Sequence, residues 1–342
     1  MRRKPILVVT AVIILVLAFI GFNFYLKVFG VNTIKKGDLY ITSTDSFQDL
    51  SEKLAPFVKD VSNFNWVANQ KKFTKPKSGR YVIQKNMSNN ELVNLLRSGR
   101  QTPVNVSFNN QDTLEKFAGR VAEQLEIDSI STLLAFRDES FLDKHNFTEK
   151  SVLQICIPNT YQLYWDVSAT EFRDRMLAEY QKFWNDVRIA KAKALNLTKN
   201  EVITLASIVQ KETAKKVERP IVAGLYLNRL QKGWPLQADP TVIYAIKEVK
   251  GQDYVVKRVL YADLEINSPY NTYKNAGLPP SLISMPDISS IDGVLNAEKH
   301  NYYFMCVDVT RFGYHKFAET QAQHNRNAAK YHQWLNEQGI NR

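Results

Sequence analysis

The chain has 342 residues, 44% of them hydrophobic and 23% charged, a balance that excludes a disordered or collagen-like polymer and leaves room for a membrane segment and two folded domains. Its formal net charge is +11, and Arg2, Arg3 and Lys4 supply only three of those charges, so most of the excess belongs to the folded part and suits an anionic partner such as a membrane surface or an acidic polymer. No compact Arg/Lys run with interleaved aromatics occurs, which argues against nucleic acid.

In chain order, residues 1–4 form a basic leader, and Pro5 to Leu26 is apolar except for Thr10, Gly21 and Asn23. About 20 such residues at 1.5 Å rise cross a hydrocarbon core of about 30 Å, which predicts a transmembrane helix over residues 5–27. The basic leader should stay cytoplasmic, leaving everything after Lys27 on the far side of the inner (plasma) membrane, periplasmic or extracytoplasmic. A cleaved signal peptide would have an apolar core of about 7–15 residues and a small-x-small site. This run is longer and no such site follows, so the reading is a retained single-pass anchor. Residues 28–36 read as a polar linker.

A compact α/β pattern occupies residues 37–101. Leu39-Tyr40-Ile41 is strand-like, and Ser46 can cap a helix carrying Phe47, Leu50, Leu54 and Phe57 on one face. A second apolar segment surrounds Phe64 and Trp66. Ser78-Gly79 marks a turn before the strand Arg80 to Ile83, and Ser88 precedes a helix with Leu92, Leu95 and Leu96 that Gly99 closes.

Residues 102–342 read as one larger mixed α+β domain. Val104 to Phe108 alternates like a strand, and helical patterns cover Thr113 to Glu126, Ser131 to Arg137, Ala169 to Ala192 and Thr198 to Lys216. The stripe Trp165, Phe172, Met176, Tyr180 and Phe183 reads as core. Cys156 and Cys306, in apolar strand-like stretches, read as buried thiols and match no metal spacing. There is no internal repeat, Walker A loop, dinucleotide fingerprint, HExxH motif or GxSxG elbow, and the five histidines do not pair at ligand spacing. Neither a metal nor a cofactor is therefore expected.

One segment carries chemistry, "LTKNEVITLASIVQKETAKK". Thr198 and Glu201 form a capping box that marks the helix start. Leu205, Ile208, Val209 and Glu212 follow at i, i+3, i+4 and i+7, which puts Glu212 on the edge of the apolar stripe while Gln210 and Lys211 point away. A carboxyl group there loses hydration and its pKa rises. Raised from about 4.3 to about 6, it would be protonated roughly one time in ten at pH 7, at about 2.3 kcal/mol. Such an acid can protonate a glycosidic oxygen. On spacing alone, a helix-edge Glu paired with a lysine or arginine is the commoner outcome.

The surrounding words change that balance. "LASIVQKET" at 205–213, "LYLNRL" at 225–230, "LQADPTVIYA" at 236–245, "SPYNTYKNAGLPPSLISMP" at 268–286 and "HKFAETQAQHN" at 315–325 occur in that order, with "IPNTYQLYW" at 157–165 before them. Together they resemble the signature segments of the endolytic murein transglycosylase (MltG, YceG-like) family, and the anchor and small domain agree in layout. The family's invariant acid falls on Glu212. Gln210 stands where many relatives carry a first acid, and Ser281 and Asp287 replace common glycines. The resemblance implies a LysM-like small module, which would bind N-acetylglucosamine-containing glycan or serve as a spacer, and a YceG-like catalytic domain.

It further implies a lytic transglycosylase that cleaves the β-1,4 bond between N-acetylmuramic acid and N-acetylglucosamine within nascent peptidoglycan strands. Glu212 would protonate the leaving oxygen and then act as base on the muramyl C6 hydroxyl, closing a 1,6-anhydro ring. The cell-wall synthesis machinery is the implied partner. A muramidase-type hydrolase and a non-catalytic wall-binding scaffold remain as alternatives. Candidate substrate contacts are Gln237, Asn271, Thr272, Tyr273, His315, Thr320, His324 and Asn325. Asp239 is a further candidate, although before Pro240 it first reads as a helix N-cap.

Overall fold

The computed structural model describes residues 3–338, so the first two residues of the basic leader lie outside the described residues. The architecture is mixed α+β and divides into two compact units.

The first unit begins with α1 (Arg3–Phe29), which is solvent-exposed from Leu7 to Leu26 and over Leu7–Phe29 is long and apolar enough to cross a membrane, a test that a signal sequence also passes. Next come β1 (Gly37–Ile41), α2 (Phe47–Leu54), α3 (Val61–Gln70), β2 (Gly79–Ile83) and α4 (Asn89–Ser98). β1 and β2 pair antiparallel from Gly37 opposite Ile83 to Ile41 opposite Gly79. Alternation along the strands sends Leu39, Ile41, Tyr81 and Ile83 into a core shared with Leu50, Leu54, Phe64, Leu92 and Leu96. Capping boxes at Ser46–Asp49 and Ser88–Glu91 start α2 and α4, and Gly99 closes α4 in the left-handed region at φ 71°.

Two features depart from the expected layout. The stretch read as a linker is packed into the unit: Asn32 and Thr33 are buried, Asn32 Nδ2 donates to Asn89 Oδ1 at 2.7 Å, and Thr33 Oγ1 donates to Gln84 O at 2.7 Å. Nor is residue 101 a clean boundary. Residues 123–127 and 161–168 return to the first unit, where Glu126 accepts from the Ser43 backbone and hydroxyl at 2.6 and 2.8 Å and Asp166 accepts from Ser78 Oγ at 2.6 Å. Trp165 therefore packs on Tyr40, while Phe172, Met176 and Tyr180 are buried in the second unit.

The remaining elements are β3 (Val104–Phe108), α5 (Leu114–Ala122), α6 (Ser129–Phe136), α7 (Glu139–His145), β4 (Asn159–Leu163), α8 (Ala169–Phe183), α9 (Asp186–Ala194), α10 (Lys199–Glu212), α11 (Arg219–Gln231), α12 (Asp239–Lys250), α13 (Ile288–Leu295), β5 (Phe304–Val307), β6 (His315–Ala318) and α14 (Gln321–Glu337). β3 pairs with β4, and β5 with β6. Phe117, Phe136 and Phe172 meet at ring distances of 5.7–6.2 Å where α5, α6 and α8 converge. The single helix expected over 169–192 is two, because the Asn185 side chain accepts from Arg188 N and starts α9. The helix expected to reach Lys216 stops at Glu212, because Thr213 turns extended (φ −134°, ψ 130°).

Candidate active site

α10 is the buried spine of the second unit, with Val202 through Val209 buried in succession. Its last residue, Glu212, is half-buried, and α11 crosses behind it. Tyr226 of α11, 1% exposed, donates its hydroxyl to Glu212 Oε1 at 2.7 Å. That leaves Oε2 as the oxygen able to carry a transferable proton. One turn further along α11, the buried Arg229 donates from Nε to Tyr303 O and from Nη1 to Leu236 O, both at 2.7 Å, and Nη1 also donates to Gln237 Oε1 at 3.4 Å. It acts on Glu212 only through space.

The opposite side is built by the segment entering α12. Gln237 is held at φ 51° by its backbone N–H bond to Thr272 O at 3.0 Å, a left-handed conformation that a non-glycine residue adopts only when its surroundings enforce it. Ala238, not Asp239, caps α12, and Asp239 is its first residue. This corrects the N-cap reading by one position. The correction has a chemical consequence, because the Asp239 carboxylate is then not held by its own helix and accepts the Tyr273 hydroxyl at 2.6 Å instead.

Glu212, Tyr226, Arg229, Gln237, Asp239, Tyr273, Met305, Cys306 and His315 line one cleft of about 270 Å³. Burial pushes the Glu212 carboxyl up from its usual 4.5 to about 7; the Tyr226 bond opposes the shift, the Asp239 charge assists it, and Arg229 opposes it. The C-terminal position on α10 acts in the same sense, since unsatisfied carbonyls there disfavour an anion. Burial also holds the Tyr226 phenol well above its usual range, so it remains a donor.

The other sequence candidates fall elsewhere. Asn271 is fully buried, with Nδ2 donating to Leu264 O and Ile266 O and Oδ1 accepting from Tyr273 N. Thr272, 1% exposed, bridges Ala238 N and Thr241 Oγ1 at 3.0 and 2.8 Å. Both shape the loop beneath Gln237 and Tyr273 and present no group to the cleft. Thr320 caps α14 by accepting from Gln323 N, Asn325 accepts from Gln321 Nε2, and His324 stacks on Phe304. Burial, then the Arg229 charge, holds the His324 imidazole below its usual pKa.

Gln210 points away from Glu212, as its helical position requires. Its Oε1 accepts from Asp287 N at 2.6 Å and Ser290 Oγ at 3.0 Å. Asp287 is the N-cap of α13 and pairs with the buried Arg219. The Ser281 and Tyr270 hydroxyls bond each other at 2.6 Å. Cys156 is buried and Cys306 lies in the cleft wall, both as free thiols. Among the described residues, no group of three or more His, Cys, Asp or Glu side chains could hold a metal ion.

Sequence reading assigned no role to Tyr226, Arg229 or Glu218. Tyr226 and Arg229 stand at i and i+3 in the quoted word "LYLNRL", a spacing that puts both on one helix face. Nothing local announced that this face turns toward Glu212.

Comparison with known proteins gives a consistent result. The profile of the YceG-like family matches residues 39–330. A Streptococcus pneumoniae protein named endolytic murein transglycosylase is 31% identical over 304 residues, covering 81% of this chain and 54% of the relative. A Bacillus subtilis protein of the same name is 27% identical over 289 residues, covering 80% and 78%. The chain thus spans about half the length of the pneumococcal relative. The crystal structure of a yceG-like protein from Listeria monocytogenes aligns with a TM-score of 0.56 at 27% identity, covering 85% of this chain and 98% of that one.

Proposed function

The chain belongs to the YceG-like family, and from that premise we propose that it is an endolytic lytic transglycosylase cutting the MurNAc–GlcNAc β-1,4 bond within nascent peptidoglycan strands. The observation that carries this reading is Glu212: a desolvated carboxyl group, bonded among the described residues to one neutral hydroxyl, at the wall of a polar cleft. With a pKa of about 7, roughly half the molecules hold the proton at neutral pH, the condition under which a general acid works best. Glu212 protonates the glycosidic oxygen as the bond breaks. The muramyl C6 hydroxyl attacks C1, a base in the cleft takes its proton, and a 1,6-anhydro ring closes without consuming water. The single-glutamate scheme that the family resemblance implies gives that role to the ionised Glu212 carboxylate. Gln237 and Tyr273 offer an amide and a ring to sugar hydroxyls and N-acetyl groups.

Asp239 gives the hydrolytic alternative a physical basis. It is a second carboxylate in the same cleft, the arrangement an enzyme uses to activate water across a sugar ring. Mass spectrometry of products from polymerised, uncross-linked glycan separates the readings. The proposal expects 1,6-anhydro-MurNAc ends; reducing ends would establish a muramidase, and intact strands a non-catalytic wall-binding protein.

The β-α-α-β-α order of the first unit supports a LysM-like, glycan-binding role. The length of α1 supports a retained anchor with the N-terminus cytoplasmic and residues 38–342 outside. A reporter active only in the cytoplasm, fused after residue 342, should then be silent. Termination of glycan elongation beside the wall-synthesis machinery completes the reading.

A further inference from the structure

The cleft wall carries an imidazole, that of His315, which the single-glutamate scheme does not use. Glu218, in the turn before α11, is 4% exposed and accepts three hydrogen bonds: from His315 N at 2.8 Å, from His315 Nδ1 at 3.1 Å and from Thr213 Oγ1 at 3.0 Å. Thr213 directly follows Glu212, and His315 opens β6. One buried carboxylate therefore ties the end of the helix bearing the acid to the strand forming another wall of the cleft.

Its effect on the imidazole is specific. A carboxylate accepts only, so the Nδ1 it faces must carry the hydrogen, and Nε2 is left with its lone pair. Among the described residues no group bonds Nε2, and the His315 ring lines the cleft that Glu212 lines. A buried acid behind an imidazole fixes its tautomer and stabilises the imidazolium that forms when the outer nitrogen takes a proton. The alternative base, Asp239, already has one oxygen on the Tyr273 hydroxyl.

We propose that His315, oriented by Glu218, is the base that takes the proton from the attacking hydroxyl of the substrate while Glu212 delivers its own to the leaving oxygen. This rests on the glycan-cleaving reading above. The step balances: the Glu212 proton goes to the glycosidic oxygen as its bond to C1 breaks, the O6–C1 bond forms, and the C6 hydroxyl proton goes to Nε2. Glu212 is left as carboxylate and His315 as imidazolium. When the product leaves, water entering the cleft carries that proton back to Glu212.

Two groups in opposite protonation states predict a bell-shaped pH dependence of kcat/KM, with Glu212 setting the alkaline limb and His315 the acid limb. The ionisable groups around His315 are Glu212 from α10, Glu218 from the turn, Tyr226 and Arg229 from α11, Asp239 from α12, Tyr273 from the loop that follows and Cys306 from β5.

The test uses the full-length protein on polymerised, uncross-linked glycan, with anhydro-end release measured from pH 5 to 9. His315→Asn keeps a side-chain N–H for Glu218 and removes Nε2. It should lower kcat/KM about 10²–10⁴-fold and abolish the acid limb. Glu218→Gln removes the charge behind the imidazole, so the acid limb should move to lower pH. The shape of each profile does not depend on the fraction of molecules that fold. Anhydro ends from wild type together with an unchanged acid limb in both variants would overturn the dyad. Reducing ends or no cleavage by wild type would instead overturn the underlying reading.

Discussion

Two depressions of nearly equal size lie in the second unit, and their chemistry is opposite. One, about 260 Å³, is lined by Asp112, Glu115, Arg137, Glu149, Lys150, Tyr244 and Glu248. There the acids have cations: Glu248 pairs with Lys150, Glu115 with Arg137, and Asp112 with Lys211 at 2.6 Å. Burial alone would raise the Asp112 carboxyl, but the Lys211 bond and neighbouring lysines hold it below the usual range. Glu115 is likewise held low against burial, by backbone, Thr113 and Arg137. In the other depression, about 270 Å³, Glu212 takes its hydrogen bond from a phenol rather than a cation, burial prevails and the carboxyl rises to about 7. Volume therefore does not identify the site. An acid beside a lysine stays ionised and has no proton to give at neutral pH, whereas an acid beside a tyrosine keeps one.

The largest effect that contrast predicts is on Glu212→Gln. The change is nearly isosteric, keeps an acceptor for Tyr226 and removes the proton, so anhydro-end release should fall about 10²–10⁴-fold. Gln210→Glu added to that variant should restore nothing, since position 210 is bonded to the start of α13.

Stability should move the other way. The folded-state pKa of Glu212 lies above its unfolded value, so the associated stability is complete below about pH 4.5 and is lost as pH rises through about 7. That loss amounts to about 3 kcal/mol at most. Glu212→Gln should escape it, melting no lower than wild type at pH 8 and with its smallest advantage below pH 5. A variant that melts earlier than wild type at pH 8 would mean that Glu212 is ionised and paired.

Tyr226→Phe should act more mildly. Losing a hydroxyl bond to the carboxylate removes about 1.4 kcal/mol of support for the charged form, so the alkaline limb of kcat/KM should shift upward in pH and the rate should drop about tenfold. The smallest effect belongs to the other depression. Glu248→Gln breaks a partly exposed ion pair, for which the expected loss is under about 1 kcal/mol of stability and less than about twofold in activity. A large activity loss there would erase the distinction between the two depressions.

Local signals carried much of this structure. The apolar run of α1, the capping boxes at Ser46, Ser88 and Thr198, the glycine at the end of α4 and the placing of Glu212 seven residues after Leu205 all depend on neighbours within two turns. What the chain hid depends on partners far along it. Glu218 and His315 stand 97 residues apart, and Tyr226 reaches Glu212 only because α11 packs across α10. Asn271 and Thr272 looked like sugar ligands because amides and hydroxyls suit both sugars and backbone, and composition does not say which of the two is near. Asp239 was displaced by one residue because Asp-Pro fits both the cap and the first turn of a helix, and the Thr272 bond to Ala238 N selects the latter.

Proton donation to the glycosidic oxygen requires Glu212 to be protonated at neutral pH. With glutamate carboxyl carbons labelled in the full-length protein, the resonance lost in Glu212→Gln identifies Glu212, and its chemical shift can be followed from pH 4 to 9. A midpoint near 7 is the predicted result; a midpoint near 4.5 would show an acid already ionised at neutral pH and would contradict its role as proton donor.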